Sequence, residues 1–426
     1  MKIIKGDPGI MKAWAFYDWA NSVYSLVITT AIFPLFYEAV VPEQVTFLGM
    51  QFINTALISY VGATGFLIVS FLVPLLSGIA DSTDSKRKFL AFFCYLGSIS
   101  CAALFFFDPE YLGPGLFFYM TALIGFWGSL VFYNSYLPLI AHPEQQDRLS
   151  AKGFSLGYIG SSILLILCLA LYFWDSSTLK YSFVLTGIWW MGFAQITLSK
   201  LPKGKPSERI QAHMLSRGFK ELRLVWNQLR HTTRLKRYLQ SFFIYSMGVQ
   251  TVMLVAVYFG SKEISWGSDT EKTAGLIISV LIIQFIAIPG AYLMAYLSNR
   301  IGNIRTLMVV NLLWAGICLS ALWIETPLEF YIEAGLVGFV MGGIQSLSRS
   351  TYSKFLPETK DTASFFSFYD VAEKIGIVFG LFIFAFMEEL GNMRMAIVSV
   401  LIFFVVGFFM LNRVPKEETT SPELMV

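Results

Sequence analysis

Long apolar stretches separated by short polar connections run the length of the chain. A helix needs roughly 20 apolar residues to cross the hydrocarbon of a bilayer. Stretches of that kind fall near 13–39, 52–79, 88–107, 114–140, 153–173, 181–199, 238–260, 273–297, 305–324, 328–353, 363–387 and 393–412. They predict an all-α membrane protein with twelve transmembrane helices. Pro34, Pro74, Pro138 and Pro289 fall inside these stretches, which lipid tolerates because neighbouring groups re-satisfy the freed backbone. Pro138 predicts a kink near the inner end of span four.

Basic residues set the orientation. Lys2, Lys5 and Lys12 precede the first span, Lys86, Arg87 and Lys88 follow the second, and Arg148 and Lys152 follow the fourth. Arg300 and Arg305 follow the eighth, and Arg349, Lys354 and Lys360 surround the end of the tenth. The opposite loops hold only Lys180, Lys262, Lys272 and Arg394. Positive residues mark the cytoplasm, so both termini are expected inside. The longest connection, 200–237, divides the chain into an N-terminal six-helix bundle, 1–199, and a C-terminal one, 238–413, with a short polar tail, 414–426, expected to be disordered. Within the connection Ile210, Met214, Phe219, Leu222, Trp226 and Leu229 recur at helical spacing among Arg and Lys. That pattern predicts a basic amphipathic helix on the inner leaflet.

Composition narrows the function. Hydrophobic residues make up 56% and charged residues 14% of the 426, against about 25% charge in ordinary soluble domains. The net charge of +3 does not suggest nucleic acid. Cys94, Cys101, Cys168 and Cys318 lie in apolar runs, and His142, His213 and His231 in polar connections. No CxxC pair, metal-ligand set, Walker motif, nucleophile elbow or soluble domain is present, so neither an enzyme nor a primary pump is expected, nor any cofactor or metal. The polar start and the long first span do not resemble a cleavable signal peptide, and no N-x-S/T sequon occurs.

Two loops resemble one another. Gly78-Ile79-Ala80-Asp81 followed by Lys86-Arg87-Lys88 ends span two, and Ser298-Asn299-Arg300-Ile301-Gly302 followed by Arg305 ends span eight. Both are similar to the loop signature of the major facilitator superfamily, G-x-x-x-D-R-x-G-R-R, with Ser82 for Arg, Asp84-Ser85 near the expected Gly, and Asn299 for Asp. A repeat at equivalent places in two six-span halves matches the parallel repeats of that fold. Tyr17-Asp18-Trp19-Ala20-Asn21-Ser22-Val23-Tyr24 resembles the YDWANSAY signature of the superfamily's vacuole-effluxer-like branch. Phe132-Tyr133-Asn134-Ser135-Tyr136-Leu137-Pro138 and Gly342-Gly343-Ile344-Gln345-Ser346-Leu347-Ser348-Arg349-Ser350 resemble its patterns in spans four and ten. Leu381 departs from the family's usual Pro, and Asp370 and Glu373 are acids the pattern lacks. The resemblance implies the major facilitator fold and efflux of a small solute, amino acids first, by alternating access in a bacterial inner membrane. A proton as coupling ion and a monomer are expected. A solute sensor built on the transporter fold, or an exporter of another metabolite or a drug, are the competing readings.

The resemblance also implies that spans one, four, seven and ten line a cavity. Asp18, Asn21, Ser22, Ser25 and Thr29 fall on one helical face of span one, and polar groups facing lipid are expensive. Asn134, Gln250 and Gln345 are the candidates in the other three spans, with interfacial or packing roles for Tyr133 and Tyr245. Span eleven carries Asp370, Glu373 and Lys374, the first and last at i and i+4 with the acid first. Three ionisable groups cannot cancel in pairs, so one acid is left over for Arg349 or a proton. Arg349 is expected to bridge to Asp18 or Asp370, or else to snorkel to lipid phosphates, while Lys374 faces the cavity. Asp81 is expected to cap the start of span eleven near Thr362 and Ala363, where backbone N–H groups favour an anion.

Overall fold

The structure, a computed structural model, describes residues 4–204 and 214–417. Ile210 of the expected amphipathic pattern, His213 and the tail beyond residue 417 lie outside them. Twelve helices of at least 18 residues, each long enough to be weighed as a membrane span, run through the described residues, with one more helix in the connection. They are α1 Pro8–Val40, α2 Asn54–Ser82, α3 Lys86–Phe106, α4 Leu112–Ile140, α5 Pro143–Trp174 and α6 Tyr181–Lys200. The connecting helix is α7, Met214–His231. Then come α8 Thr233–Glu263, α9 Asp269–Ile301, α10 Asn303–Ser320, α11 Pro327–Phe355, α12 Thr362–Leu390 and α13 Met393–Asn412. Ten of the twelve are both long and apolar enough to cross a membrane. The others are α6, 20 residues and so about 30 Å long, and α12, whose apolar run is interrupted by Asp370, Glu373 and Lys374. Large apolar side chains face outward, among them Phe71 at 78% and Phe382 at 70% exposure, a pattern that suits lipid rather than water.

The helices fall into two compact units. Unit one holds 1–140, 156–222 and 360–367; unit two holds 141–155, 223–359 and 368–426. In unit one α1 packs on α6, α3 on α4 and α6, and α2 on α4. In unit two the same four pairings recur: α8 on α13, α10 on α11 and α13, and α9 on α11. The closest approach is between α9 and α11, where a Cβ on Gly342 would lie 2.1 Å from the Ala287 carbonyl and one on Gly290 2.0 Å from that of Phe339. Small residues let helix backbones touch where lipid supplies no hydrophobic drive.

Three local features were not legible from hydropathy, and a fourth, the break in α4, is the kink expected from Pro138. The pattern placed the start of span five at 153, but α5 begins at Pro143, because a helical turn made of polar residues gives no apolar signal. The chain of α1 widens to i→i+5 bonding over Tyr24–Ile32, and the Phe33 N–H donates to the Ile28 carbonyl. The break in α4 falls at Ser135 and Tyr136, ahead of Pro138. Pro138 cannot donate to the carbonyl four residues back, that of Asn134, and its ring would strike it. A short hairpin, β1 Gln44–Phe47 and β2 Met50–Ile53, pairs antiparallel after α1.

Candidate functional site

In unit one, α1 carries the first cluster. Trp14 stacks on Tyr133 at 4.5 Å and its indole N–H donates to the Tyr133 carbonyl at 2.9 Å. The Tyr133 hydroxyl donates in turn to Asp18 Oδ2 at 2.9 Å. Tyr133 therefore packs, as expected of it, and also holds the carboxylate of Asp18 in place. Asn21 is 1% exposed, its Nδ2 has no hydrogen-bond partner among the described residues, and Ser22 Oγ lies 3.5 Å from its Oδ1. Ser25 and Thr29 are half-buried but sit on the widened segment, so the single face drawn at regular α spacing does not continue past Val23. Asn134 is half-buried at the last residue before the break in α4.

The loop after α2 builds the second cluster. Asp81 accepts from the Ala363 N–H at 3.2 Å, the Ser364 N–H at 2.7 Å and the Ser364 hydroxyl at 2.7 Å. It thus caps the first turn of α12, whose free N–H groups and dipole favour an anion. Lys86 Nζ lies 2.6 Å from Asp81 Oδ1 and donates to the Lys360 carbonyl at 2.9 Å. The chain reverses sharply after Asp81, and Asp84 takes φ +50°. That is a left-handed position which Asp tolerates better than most residues. Gly302 takes φ +89° three residues after Asn299, as Asp84 does three residues after Asp81. Each loop thus places a positive-φ residue three positions after the equivalent Asp or Asn, although the first connection runs over 83–85 and the second is Gly302 alone.

Unit two holds a counterpart with the polarity reversed. Here the acid comes from the helix start: Asp147, fully buried, accepts from Ser298 Oγ at 2.7 Å, Asn303 Nδ2 at 2.8 Å and Lys354 Nζ at 2.6 Å. Asn299 itself is exposed. One turn along α5, Ser150 Oγ accepts from Arg349 Nε at 2.9 Å and its carbonyl from Arg349 Nη2 at 3.0 Å. The guanidinium also lies 4.2 Å from the Phe154 ring. Arg349 is 3% exposed, which removes the expected snorkelling. Sequence reasoning missed Asp147, Ser150, Ser298 and Asn303. The polar run 143–152 carries no apolar signal, although three of its polar residues, Gln146, Asp147 and Ser150, are almost wholly buried.

The third cluster lies on α12 and α8. Asp370 pairs with Lys374 on the next turn, and Lys374 Nζ is 3.6 Å from Glu373 Oε2. Gln250 Nε2 donates to Glu373 Oε1 at 2.8 Å. Asp370 takes Lys374 as its partner rather than Arg349, which corrects that half of the bridge expected from the sequence. Asp370 Oδ2 has no hydrogen-bond partner among the described residues. Lys374 is 1% exposed, and so deeply placed that it meets its own helix's acids first. Gln345 Nε2 lies 3.2 Å from Met253 Sδ. Tyr245 packs as expected, its hydroxyl bonding Ser348 Oγ at 2.8 Å. The cluster offers one cation and two anions in apolar surroundings, where an unmatched charge costs several kcal/mol unless a partner arrives.

The fold places the chain among known transporters. It superimposes on the major facilitator superfamily transporter FucP with a TM-score of 0.70 at 16% identity, covering 97% of this chain and 99% of that one. The human organic anion transporter MFSD10 gives 0.66 at 14% identity, covering 96% and 100%. The likeness gives the chain the multi-pass membrane fold of the major facilitator superfamily. The model of the family described as vacuole effluxer Atg22 like matches residues 8–421. The MFS-type transporter YxiO of Bacillus subtilis is 33% identical over 96% of this chain and 95% of its own length. Autophagy-related protein 22 of Yarrowia lipolytica is 22% identical over 86% and 77%. The chain belongs to the vacuole effluxer Atg22-like family.

Proposed function

We propose that the protein exports small zwitterionic solutes, amino acids foremost, by alternating access, with the α12 cluster as the charged part of the solute site. The observation that carries this reading is the group of buried Asp370 and Lys374 with half-buried Glu373, in which Asp370 Oδ2 has no hydrogen-bond partner among the described residues. An ammonium group would neutralise the spare acid, and a carboxylate on the same solute would share Lys374 with Asp370, so the cluster calls for a cationic group and can accept a zwitterion. In the empty protein a proton on one acid would lower the same cost, which makes proton exchange the natural coupling. Asn21, with its free amide donor, Asp18, Ser25, Asn134, Gln250 and Gln345 are assigned to the polar lining. Asp81 and Arg349 are assigned to the cytoplasmic closure. The membrane is taken to be the bacterial inner membrane with both termini inside, and the working unit a monomer of two six-helix bundles.

A thermal-shift screen of amino acids, short peptides, sugars and nucleosides on purified protein tests the assignment, because a ligand stabilises the state that binds it. Zwitterions should raise the melting temperature, and Glu373→Gln and Lys374→Gln should each abolish the shift. A shift from sugars or nucleosides that survives both substitutions contradicts the reading.

A further inference from the structure

Helix α7 presents two different long faces. Gly218, Val225 and Leu229 are buried, a spacing that lays one stripe of the helix against the protein. Gly218 sits on α2: a Cβ at Gly78 would lie 2.7 Å from the Gly218 carbonyl oxygen. Gly78 is four residues short of the end of α2 at Ser82, about 6 Å along the helix axis. The docked end of α7 is therefore level with the last turn of a membrane-length helix rather than out in water. At its other end a single residue, Thr232, separates α7 from the membrane-length α8.

The neighbouring face carries Phe219, Arg223, Trp226 and Arg230, at successive steps of four, three and four residues. All four are exposed, Phe219 at 63% and Trp226 at 46%. Trp226 touches Phe368 at 5.5 Å with part of its ring. Neither arginine has an ion-pair partner among the described residues. We infer that this face binds the anionic phospholipid headgroups of the cytoplasmic leaflet, with Phe219 and Trp226 seated among the upper acyl chains and Arg223 and Arg230 on the phosphates. Aromatic rings with one apolar side settle at the membrane interface, and basic residues at that depth are drawn to the negative leaflet. The other exposed side of the helix carries one basic residue, Lys220, one turn before a single exposed apolar residue, Leu224, and has no Phe, Tyr or Trp.

Accessibility of a cysteine on each face reads this directly, because Cys94, Cys101, Cys168 and Cys318 are all buried. Phe219→Cys and Leu224→Cys proteins are placed in nanodiscs holding one copy each. The discs are made of phosphatidylcholine alone or of its mixture with phosphatidylglycerol, and the proteins are labelled with an uncharged, water-soluble maleimide. Position 219 should react roughly fivefold more slowly in the anionic discs, the order expected when one basic residue meets the surface, while position 224 reacts equally in both. Arg223→Gln with Arg230→Gln should restore the faster rate at 219. Equal rates at 219 in the two lipids overturn the inference, as does slowing that survives loss of both arginines. Protection found only when two copies share a disc would assign the face to a second copy of the chain instead.

Discussion

Asp147 shows how much one buried charge decides. Its carboxylate is fully enclosed and held by Lys354, Asn303 and Ser298. Removing one partner of such a group strands the other, whereas removing both is far milder. Asp147→Ala should cost on the order of 3 kcal/mol and lower the melting temperature in detergent, and Asp147→Ala with Lys354→Met should recover most of it. If the double variant melts no higher than the single one, the pair is not what holds this cluster. The sequence showed the basic residue, Lys354, because positive charges near span ends are counted for orientation. It hid the acid, because a lone Asp in a polar run looks solvated. Asp81 was legible for the opposite reason: the resemblance of its loop to the superfamily signature pointed to the start of span eleven, where Ala363 and Ser364 donate to it. Asp81→Asn keeps one acceptor for those donors but loses its charge against Lys86. It should fold and transport poorly, and uptake at the wild-type rate would remove the gate assignment.

Element α7 was legible in periodicity, although its partner was not. The apolar spacing named a helix, and only three-dimensional packing shows that Gly218 meets Gly78 backbone to backbone. Gly78→Ala should therefore push α7 away and speed hydrogen exchange of the amides of 218–225. Gly62→Ala on the same helix, where a Cβ meets nothing within 4 Å, should not. Equal exchange in the two variants would show that the contact does not anchor the helix. The docked helix also carries Glu221, whose carboxyl is pushed above the usual glutamate range. Burial is the main cause, followed by the neighbouring carboxylates Asp361 and Asp81, with Lys220 opposing. A raised carboxyl contributes its stability below the free glutamate pKa and loses it as pH climbs through the folded value. Docking of α7 should therefore loosen as pH rises through and above the usual glutamate range. Glu221→Gln should flatten that dependence in hydrogen exchange, and a dependence unchanged by the substitution would place its source elsewhere. The widened segment of α1 and the polar first turns of α5 were beyond reach for a different reason. Both depend on neighbours that satisfy backbone or side-chain groups, and a single strand of sequence does not contain them.

Across the whole molecule, the apolar pattern and the repeated loop were enough to name the fold. The four helix pairings of unit one recur in unit two, and Asp84 and Gly302 both take positive φ at equivalent places. The side chains of the two copies have diverged, an acid in the loop of one and in the facing helix of the other, so a search for identical residues finds only half of the arrangement. The candidate solute site was partly legible: Asp370 and Lys374 were recognisable as a pair by their spacing, whereas the amide contact from Gln250 to Glu373 joins residues 123 positions apart. The measurement that bears most directly on the account is counterflow in proteoliposomes. Purified protein is reconstituted with an unlabelled amino acid inside, and entry of the labelled amino acid is followed with no ion gradient. The account predicts saturable entry that the internal amino acid stimulates and that Glu373→Gln abolishes. Entry that is unsaturable, indifferent to internal solute, or unchanged in Glu373→Gln would contradict it.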